Sequence, residues 1–390
     1  MINVRSNEWV KCTVIMCIMM FLKTEGLEEV GITIIQSGIA KGAVCLDGSP
    51  PAYQLAKGFG DGVSNWLVHI QGGGWCNSVQ DCVSRKTLIY GLGSSKLMTP
   101  LNFTGILSNE KEQNPIFYNW NRVIMRYCDG SSFTGDVEEV DPATSLYFRG
   151  ARIFNVIVEE LMNIGMKDAQ NVFLSGCSAG GLASILHCDK FRGLFPTSTR
   201  VKCIADAGYF PHMKDLSGQY SFETFYDQLV TLHGSAKYLP SECTSNMAPG
   251  LCFYPQFVVP YIKTPIFVLN SAYDTWQISY IFAPNESDPH GEFTKCKTDL
   301  NQCSTVQLQR LQDFRAEFLD SISVVGKSSS NGMFINTCFA HCQSESQQAW
   351  SGNDASKLDN KTIAEGVGDW FFDKSEFRKI DNEHILPHYC

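Results

Sequence analysis

The stretch that most constrains the fold is Val172-Phe173-Leu174-Ser175-Gly176-Cys177-Ser178-Ala179-Gly180-Gly181. An apolar run suited to a buried strand leads into it, and Leu182-Ala183-Ser184-Ile185-Leu186, a good helix opening, leads out. Between a strand and a helix, Gly176-x-Ser178-x-Gly180 has the pattern of a nucleophile elbow. A serine that attacks a carbonyl must stand clear of the backbone. The turn is therefore sharp, and glycines two residues to either side remove the Cβ atoms that would collide there. The helix start behind the serine supplies free N–H groups and a positive dipole end, which favour an oxyanion. Taken alone, the stretch also fits a tight glycine turn with an incidental serine.

Such an elbow needs a sheet around it, and the chain alternates accordingly. Trp66-Leu67-Val68-His69-Ile70 reads as a strand that runs into Gln71-Gly72-Gly73-Gly74-Trp75-Cys76. Three glycines after a buried strand suit a loop whose backbone N–H groups face a ligand, and in α/β hydrolases part of the oxyanion hole comes from such a loop. Residues 122–127 form a second strand. Leu146, Ile153, Phe154, Ile157, Val158, Leu161 and Met162 recur at helical spacing between Ser145 and Met166. After the elbow come strands at 201–205, 265–270 and 332–336, and an amphipathic helix marked by Leu308, Leu311, Phe314, Phe318 and Ile322. The expected class is α/β: an α/β-hydrolase-like, mostly parallel sheet flanked by helices, with residues 211–262 as a loop-rich cap. No repeat or linker divides the chain, so residues 27–390 are expected to form a single catalytic domain.

Residues 1–26 read as a signal peptide. Arg5 and Lys11 precede the apolar run 12–22, and Lys23 ends it. That run is too short to span a bilayer and suits a signal-peptide core. Cleavage is expected between Thr24 and Val30, with an uncleaved anchor as the alternative; after cleavage no stable membrane insertion is expected. Two of the 16 cysteines, Cys12 and Cys17, lie in this leader, and an even number remains, as a disulfide framework in an exported chain requires. The close pairs Cys76/Cys82, Cys243/Cys252 and Cys296/Cys303 suit local bridges. Cys338-x-x-x-Cys342 with His341 has metal-ligand spacing, but the compartment favours a bridge over zinc, and no metal is expected. Asn102, Asn285 and Asn360 open N-glycosylation sequons and belong on the surface. A net charge of −9 argues against nucleic acid as a partner. The oligomeric state is left open.

A serine nucleophile needs a histidine base, and the base needs a carboxylate to hold its tautomer. In α/β hydrolases these follow the serine in the order acid, then histidine, after later strands. Asp274 lies four residues past the strand ending at Asn270, and His341 five past the strand ending at Asn336. Of the eight histidines, His69 precedes the nucleophile within a strand, and His187 sits on the elbow helix with a core or capping role. His212, His233 and His290 occupy loop-rich regions, and His384 and His388 a polar tail. Asp206, also at a strand end, is the second candidate acid. Gly74, Trp75 and Ala179 would supply the oxyanion donors. Trp75, Tyr209, Phe210 and Trp276 could line an aromatic wall near the serine, with core packing as the alternative for each. No cofactor is required by this chemistry.

Several of these stretches are distinctive together: residues 44–53, Gly72-Gly73-Gly74-Trp75-Cys76, residues 117–121, Arg126-Tyr127-Cys128-Asp129-Gly130, Ser175–Gly181, and Asn336-Thr337-Cys338-Phe339-Ala340-His341-Cys342. In this order they resemble the plant pectin acetylesterases, a family that includes, more distantly, the Wnt-deacylating carboxylesterase Notum. The resemblance covers residues 40 to 380. It implies a secreted, extracellular serine carboxylesterase of the cell wall acting on acetylated pectin polysaccharide. It places the nucleophile at Ser178, the acid at Asp274, the base at His341 and the oxyanion donors at Gly74, Trp75 and Ala179. It also implies Cys45–Cys128 and Cys76–Cys82 bridges. The tail departs from the family pattern: only Cys390 follows Asp381, so Cys338 is expected to be unpaired or differently paired and the base loop less rigid. The alternatives are a carboxylesterase or lipid deacylase with another acyl substrate, and an inactive carbohydrate-binding homologue.

Overall fold

The computed structural model describes residues 28–88, 91–140 and 142–390. The leader assigned to residues 1–26 lies outside the described residues. The strands are β1 (Glu28–Val30), β2 (Ile32–Ile34), β3 (Ala52–Ala56), β4 (Asn65–Ile70), β5 (Leu101–Phe103), β6 (Asn121–Met125), β7 (Asn171–Gly176), β8 (Arg200–Asp206), β9 (Ile266–Ser271), β10 (Gly332–Asn336) and β11 (Arg378–Ile380). Nine of them form one sheet in the order β11-β10-β9-β8-β7-β4-β6-β3-β2, and β1 pairs with β5 apart from it. Every pairing from β11 to β6 is parallel, and β6–β3 and β3–β2 are antiparallel. The order reverses once, where β4 inserts between β6 and β7, so the loop after β4 lies beside the turn after β7. Ligands of open α/β sheets bind at the carboxyl ends of strands near such a reversal.

The central strands are apolar on both faces because helices cover both, as a buried parallel sheet requires. On one face pack α1 (Gly150–Asn163), α2 (Ala179–Arg192) and α4 (Thr305–Ile322). On the other packs α5 (Ile363–Phe371), with Phe173, Phe267 and Phe334 of the sheet in its core. α1 begins later than the periodicity from Ser145 implies. Ser145 itself takes a positive φ of 50°, so the chain is still turning there. α4 runs 18 residues behind a capping box made by Ser304 and Gln307. The cap expected over residues 211–262 holds α3 (Ser221–His233) and several short helical turns.

Seven disulfides staple the described chain: Cys45–Cys128, Cys76–Cys82, Cys177–Cys342, Cys188–Cys203, Cys243–Cys252, Cys296–Cys303 and Cys338–Cys390. The last corrects the expectation that the altered tail leaves Cys338 without its bridge. Phe339 N donates to His388 O at 2.7 Å, and this contact brings the final cysteine alongside Cys338. Cys342 is bonded to Cys177, so neither thiol of the Cys338-x-x-x-Cys342 spacing is free for a metal. Asn102, Asn285 and Asn360 are all exposed.

Phe173 on β7 sits among Phe117, Phe371 and Trp370 at ring separations of 5.3, 4.7 and 6.3 Å. Phe173→Ala is expected to cost about 3–5 kcal/mol of stability, read as a lower midpoint in urea denaturation with the slope unchanged.

Candidate active site

Ser178 stands at φ 58°, ψ −126° between β7 and α2, a conformation that a non-glycine residue adopts only under constraint. The constraint is backbone packing. A Cβ on Gly176 would come within 2.2 Å of Gly180 O, and one on Gly72 within 2.6 Å of Cys177 O and 3.0 Å of Ser178 Cβ. Glycine is therefore required in both loops, and the Gly72–Gly74 loop lies directly against the nucleophile turn. Ser178 N donates to Asp206 O at 2.9 Å. Ser178 as a residue keeps a small exposed area, 6 %. The N–H groups of Gly74, Trp75 and Ala179 donate to no protein acceptor among the described residues, and Ala179 opens α2, so three free donors border the serine turn.

Asp274 follows β9 and is fully buried. It caps the short helix Thr275–Gln277, its Oδ1 accepting from Trp276 N and Gln277 N at 3.0 Å each. Both carboxylate oxygens also face His341 Nδ1, at 2.8 and 3.0 Å. His341 lies in the loop after β10. With Nδ1 donating to Asp274, its Nε2 carries the lone pair and has no protein partner among the described residues. The disulfide Cys177–Cys342 joins the residue before the serine to the residue after the histidine, with Cα atoms 5.5 Å apart. A ring nitrogen of His341 lies within 4.8 Å of both sulfurs. Burial opposes protonation of His341. The charge and hydrogen bond of Asp274, with the charges of Asp206 and Glu345 behind it, outweigh burial and raise its pKa above the ordinary histidine value.

Asp206 does not contact the histidine as an acid partner would. Its Oδ2 accepts from Ser344 N at 2.6 Å, which makes it the anchor of the base loop. Burial pushes its carboxyl up to about 6, against the hydrogen bonds from Ser344. His69 has both nitrogens engaged, Nδ1 with Ser175 Oγ at 2.8 Å and Nε2 with Glu345 Oε1 at 2.9 Å. His187 is buried, stacks on Phe154 at 4.1 Å, and is held well below the usual range by burial, at about 3.

The aromatic candidates divide. Trp75 packs edge-on against Phe210, Tyr226 and Trp276 at 4.8, 5.4 and 5.5 Å, and its Nε1 donates to Ser132 Oγ at 2.7 Å. Trp276 is half-buried and lies 6.4 Å from the His341 ring at 25°. Tyr209 does not line the site: it is fully buried and its hydroxyl donates to Ser321 O at 2.6 Å. The strand end that makes it look accessible is covered by α4.

Sequence reasoning passed over the Cys177–Cys342 bridge, although its two cysteines abut the serine and histidine that the motifs had marked. It also passed over Ser344 and Glu345, for which no local pattern exists.

The sheet order, the strained serine after β7 and the acid–histidine pair after β9 and β10 define a hydrolase of the α/β-hydrolase class. The pectinacetylesterase family model matches residues 24–390. The chain is 53% identical over 357 residues to pectin acetylesterase 7 of Arabidopsis thaliana, covering 91% of each chain. It is 43% identical over 358 residues to pectin acetylesterase 5 of the same plant, covering 91% of this chain and 82% of that one. The Wnt deacylase Notum from Drosophila superposes with a TM-score of 0.77 at 22% identity, over 92% of this chain and 98% of that one, which bears on the fold. The chain belongs to the pectin acetylesterase family and is a carboxylic ester hydrolase.

With His341 as the proposed base, its raised pKa is expected to set the acid limb of activity. Turnover of p-nitrophenyl acetate is expected to rise with pH through a midpoint above 6.5, the ordinary histidine value. Because Glu345 contributes to the elevation, Glu345→Gln should move that midpoint down. A midpoint unmoved or raised in the variant would contradict this electrostatic account.

Proposed function

We propose that this chain is a secreted cell-wall enzyme that hydrolyses acetyl esters of pectin through an acetyl-serine intermediate. The observation that carries the mechanism is the pairing of His341 Nδ1 with buried Asp274 at 2.8 Å, while a disulfide clamps the base loop to the serine turn. In this reading His341 Nε2 takes the Ser178 proton as Oγ attacks the acetyl carbonyl. The developing oxyanion accepts hydrogen bonds from the N–H groups of Ala179, Gly74 and Trp75. Asp274 stabilises the imidazolium, which then gives its proton to the departing sugar oxygen. Water, activated by the same histidine, releases acetate. Each oxyanion donor contributes on the order of 3 kcal/mol to transition-state stabilisation. The chain's own residues supply every step, so the mechanism calls for no cofactor or metal.

Acetyl is favoured over a long acyl chain by the packing beside the oxyanion loop. The space around Trp75 is filled by Phe210, Tyr226 and Phe253, all fully buried, and by Phe222. A deep apolar channel would require these rings to part. Secretion is supported by the seven disulfides, which form and persist in oxidising compartments. Among the described residues no helix is long and apolar enough to cross a membrane. The remaining parts of the reading are the cleaved leader at 1–26, one catalytic domain at 27–390, and glycans at the exposed Asn102, Asn285 and Asn360.

The purified glycosylated chain should release acetate from acetylated pectin. Ser178→Ala should lower that rate by at least about 10³-fold while keeping the wild-type melting profile. p-Nitrophenyl acetate should be turned over faster than the octanoate. Octanoate preference would move the assignment to another ester. A fully active Ser178→Ala would end the serine mechanism.

A further inference from the structure

A short aromatic staircase leads from the base to solvent. Trp276 lies 6.4 Å from the His341 ring at 25°, and Tyr280 lies 4.8 Å from Trp276 at 31°. The two are four residues apart, so their side chains share one face of the helical segment. Tyr280 sits in a π-helical turn, Ile278–Phe282, a local distortion that recurs at functional sites. The same turn buries Ile278, Ile281 and Phe282 almost completely, so the turn is well anchored. Tyr280 nevertheless leaves 57 % of its surface in water. One face of this ring leans on Trp276 at the 31° tilt, and the exposed remainder faces solvent.

We infer that Tyr280, backed by Trp276, is a stacking subsite for the pyranose ring next to the esterified sugar, and that this ring is a hexuronosyl unit. The inference rests on the function proposed above. A pyranose ring presents one face of polarised C–H groups, which complements the electron-rich face of a tyrosine. An ester substrate carried on a polymer extends past the catalytic serine in both directions, so the rim meets a neighbouring sugar. The uronosyl assignment comes from charge. The loop packed on this turn, through Leu216 N donating to Phe282 O at 2.8 Å, carries exposed Lys214. Its Nζ lies 5.7 Å from the ring centroid of Tyr220, itself exposed. Of the acidic groups on this segment, Glu223 is taken up by His212 Nε2 at 2.6 Å, and Asp215, adjacent to Lys214, accepts from Ser217, Gln219 N and Ser221 Oγ. The loop packed on this turn therefore offers Lys214 as a cation to a sugar carboxylate.

The test separates binding from turnover. In a Ser178→Ala background, de-esterified oligogalacturonides should bind and change the tryptophan fluorescence. Adding Tyr280→Ala should weaken that binding by about three- to tenfold, and Tyr280→Phe should restore it. Adding Lys214→Gln should weaken binding of oligogalacturonides but not of neutral galactan oligomers. In the active enzyme, Tyr280→Ala should raise KM for acetylated pectin and lower the ratio of its kcat/KM to that for p-nitrophenyl acetate. Oligogalacturonides that fail to bind, or bind equally with Tyr280→Ala, would overturn the subsite. So would an unchanged kinetic ratio. A wild type that binds oligogalacturonides yet releases no acetate from acetylated pectin would instead overturn the proposed function and leave the subsite standing.

Discussion

Asp206 holds the two halves of the site together. Its backbone carbonyl accepts from Ser178 N at 2.9 Å, and its side chain accepts from Ser344 N at 2.6 Å. One residue at the end of β8 thus fixes both the serine turn and the loop that carries His341. A buried carboxylate is expensive unless it is paired or hydrogen-bonded, and here desolvation pushes its pKa up to about 6. An apolar residue at this position could not accept the Ser344 N–H. The Cys177–Cys342 disulfide makes the same connection covalently. Serine and histidine come from segments more than 160 residues apart in the chain, and placing them to a fraction of an ångström requires such redundancy.

The cap acts on the other side of the serine. Phe222, Phe225, Tyr226 and Phe253 pack edge to face on Trp75, a preferred geometry for rings of this polarity, and Trp75 is also bonded to Ser132. Ser132 Oγ in turn donates to Ala179 O at 2.7 Å. The glycine loop and the elbow helix are thereby coupled through a single tryptophan. In the proposed mechanism the same packing would limit the acyl group and hold the Gly74–Trp75 segment, two of the three proposed oxyanion donors, in place.

The elbow, the glycine loop and the order of acid and base were legible in the sequence because each is a local pattern with a local cause. The serine turn needs its flanking glycines wherever it occurs, and strand ends place Asp274 and His341 by topology. What was illegible depends on tertiary contact. Tyr209 and Phe210 are adjacent at a strand end, yet only the packing of α4 decides that the hydroxyl of Tyr209 bonds Ser321 in the core. The tail showed one cysteine where a cluster was expected. Its reach to Cys338 follows from backbone contacts of Phe339 and His388 that no motif announces. Tyr280 belongs to no motif either, and only the structure shows it exposed in a turn whose other apolar residues are buried.

Two histidines lie in this site, and their hydrogen bonds distinguish them. His69 is 1 % exposed and gives one nitrogen to Ser175 and the other to Glu345, so it has no lone pair available to accept a serine proton. It works as a spacer between β7 and the base loop. His341 gives only Nδ1, to Asp274, and its side chain is 19% exposed. Its other nitrogen is therefore free and reachable. The anions around it, Asp274 in contact and Asp206 and Glu345 farther off, all favour the imidazolium. In the proposed mechanism that bias would slow turnover in acid, where the base is already protonated, and would help at neutral pH, because the charge it stabilises is the one that forms as Ser178 attacks.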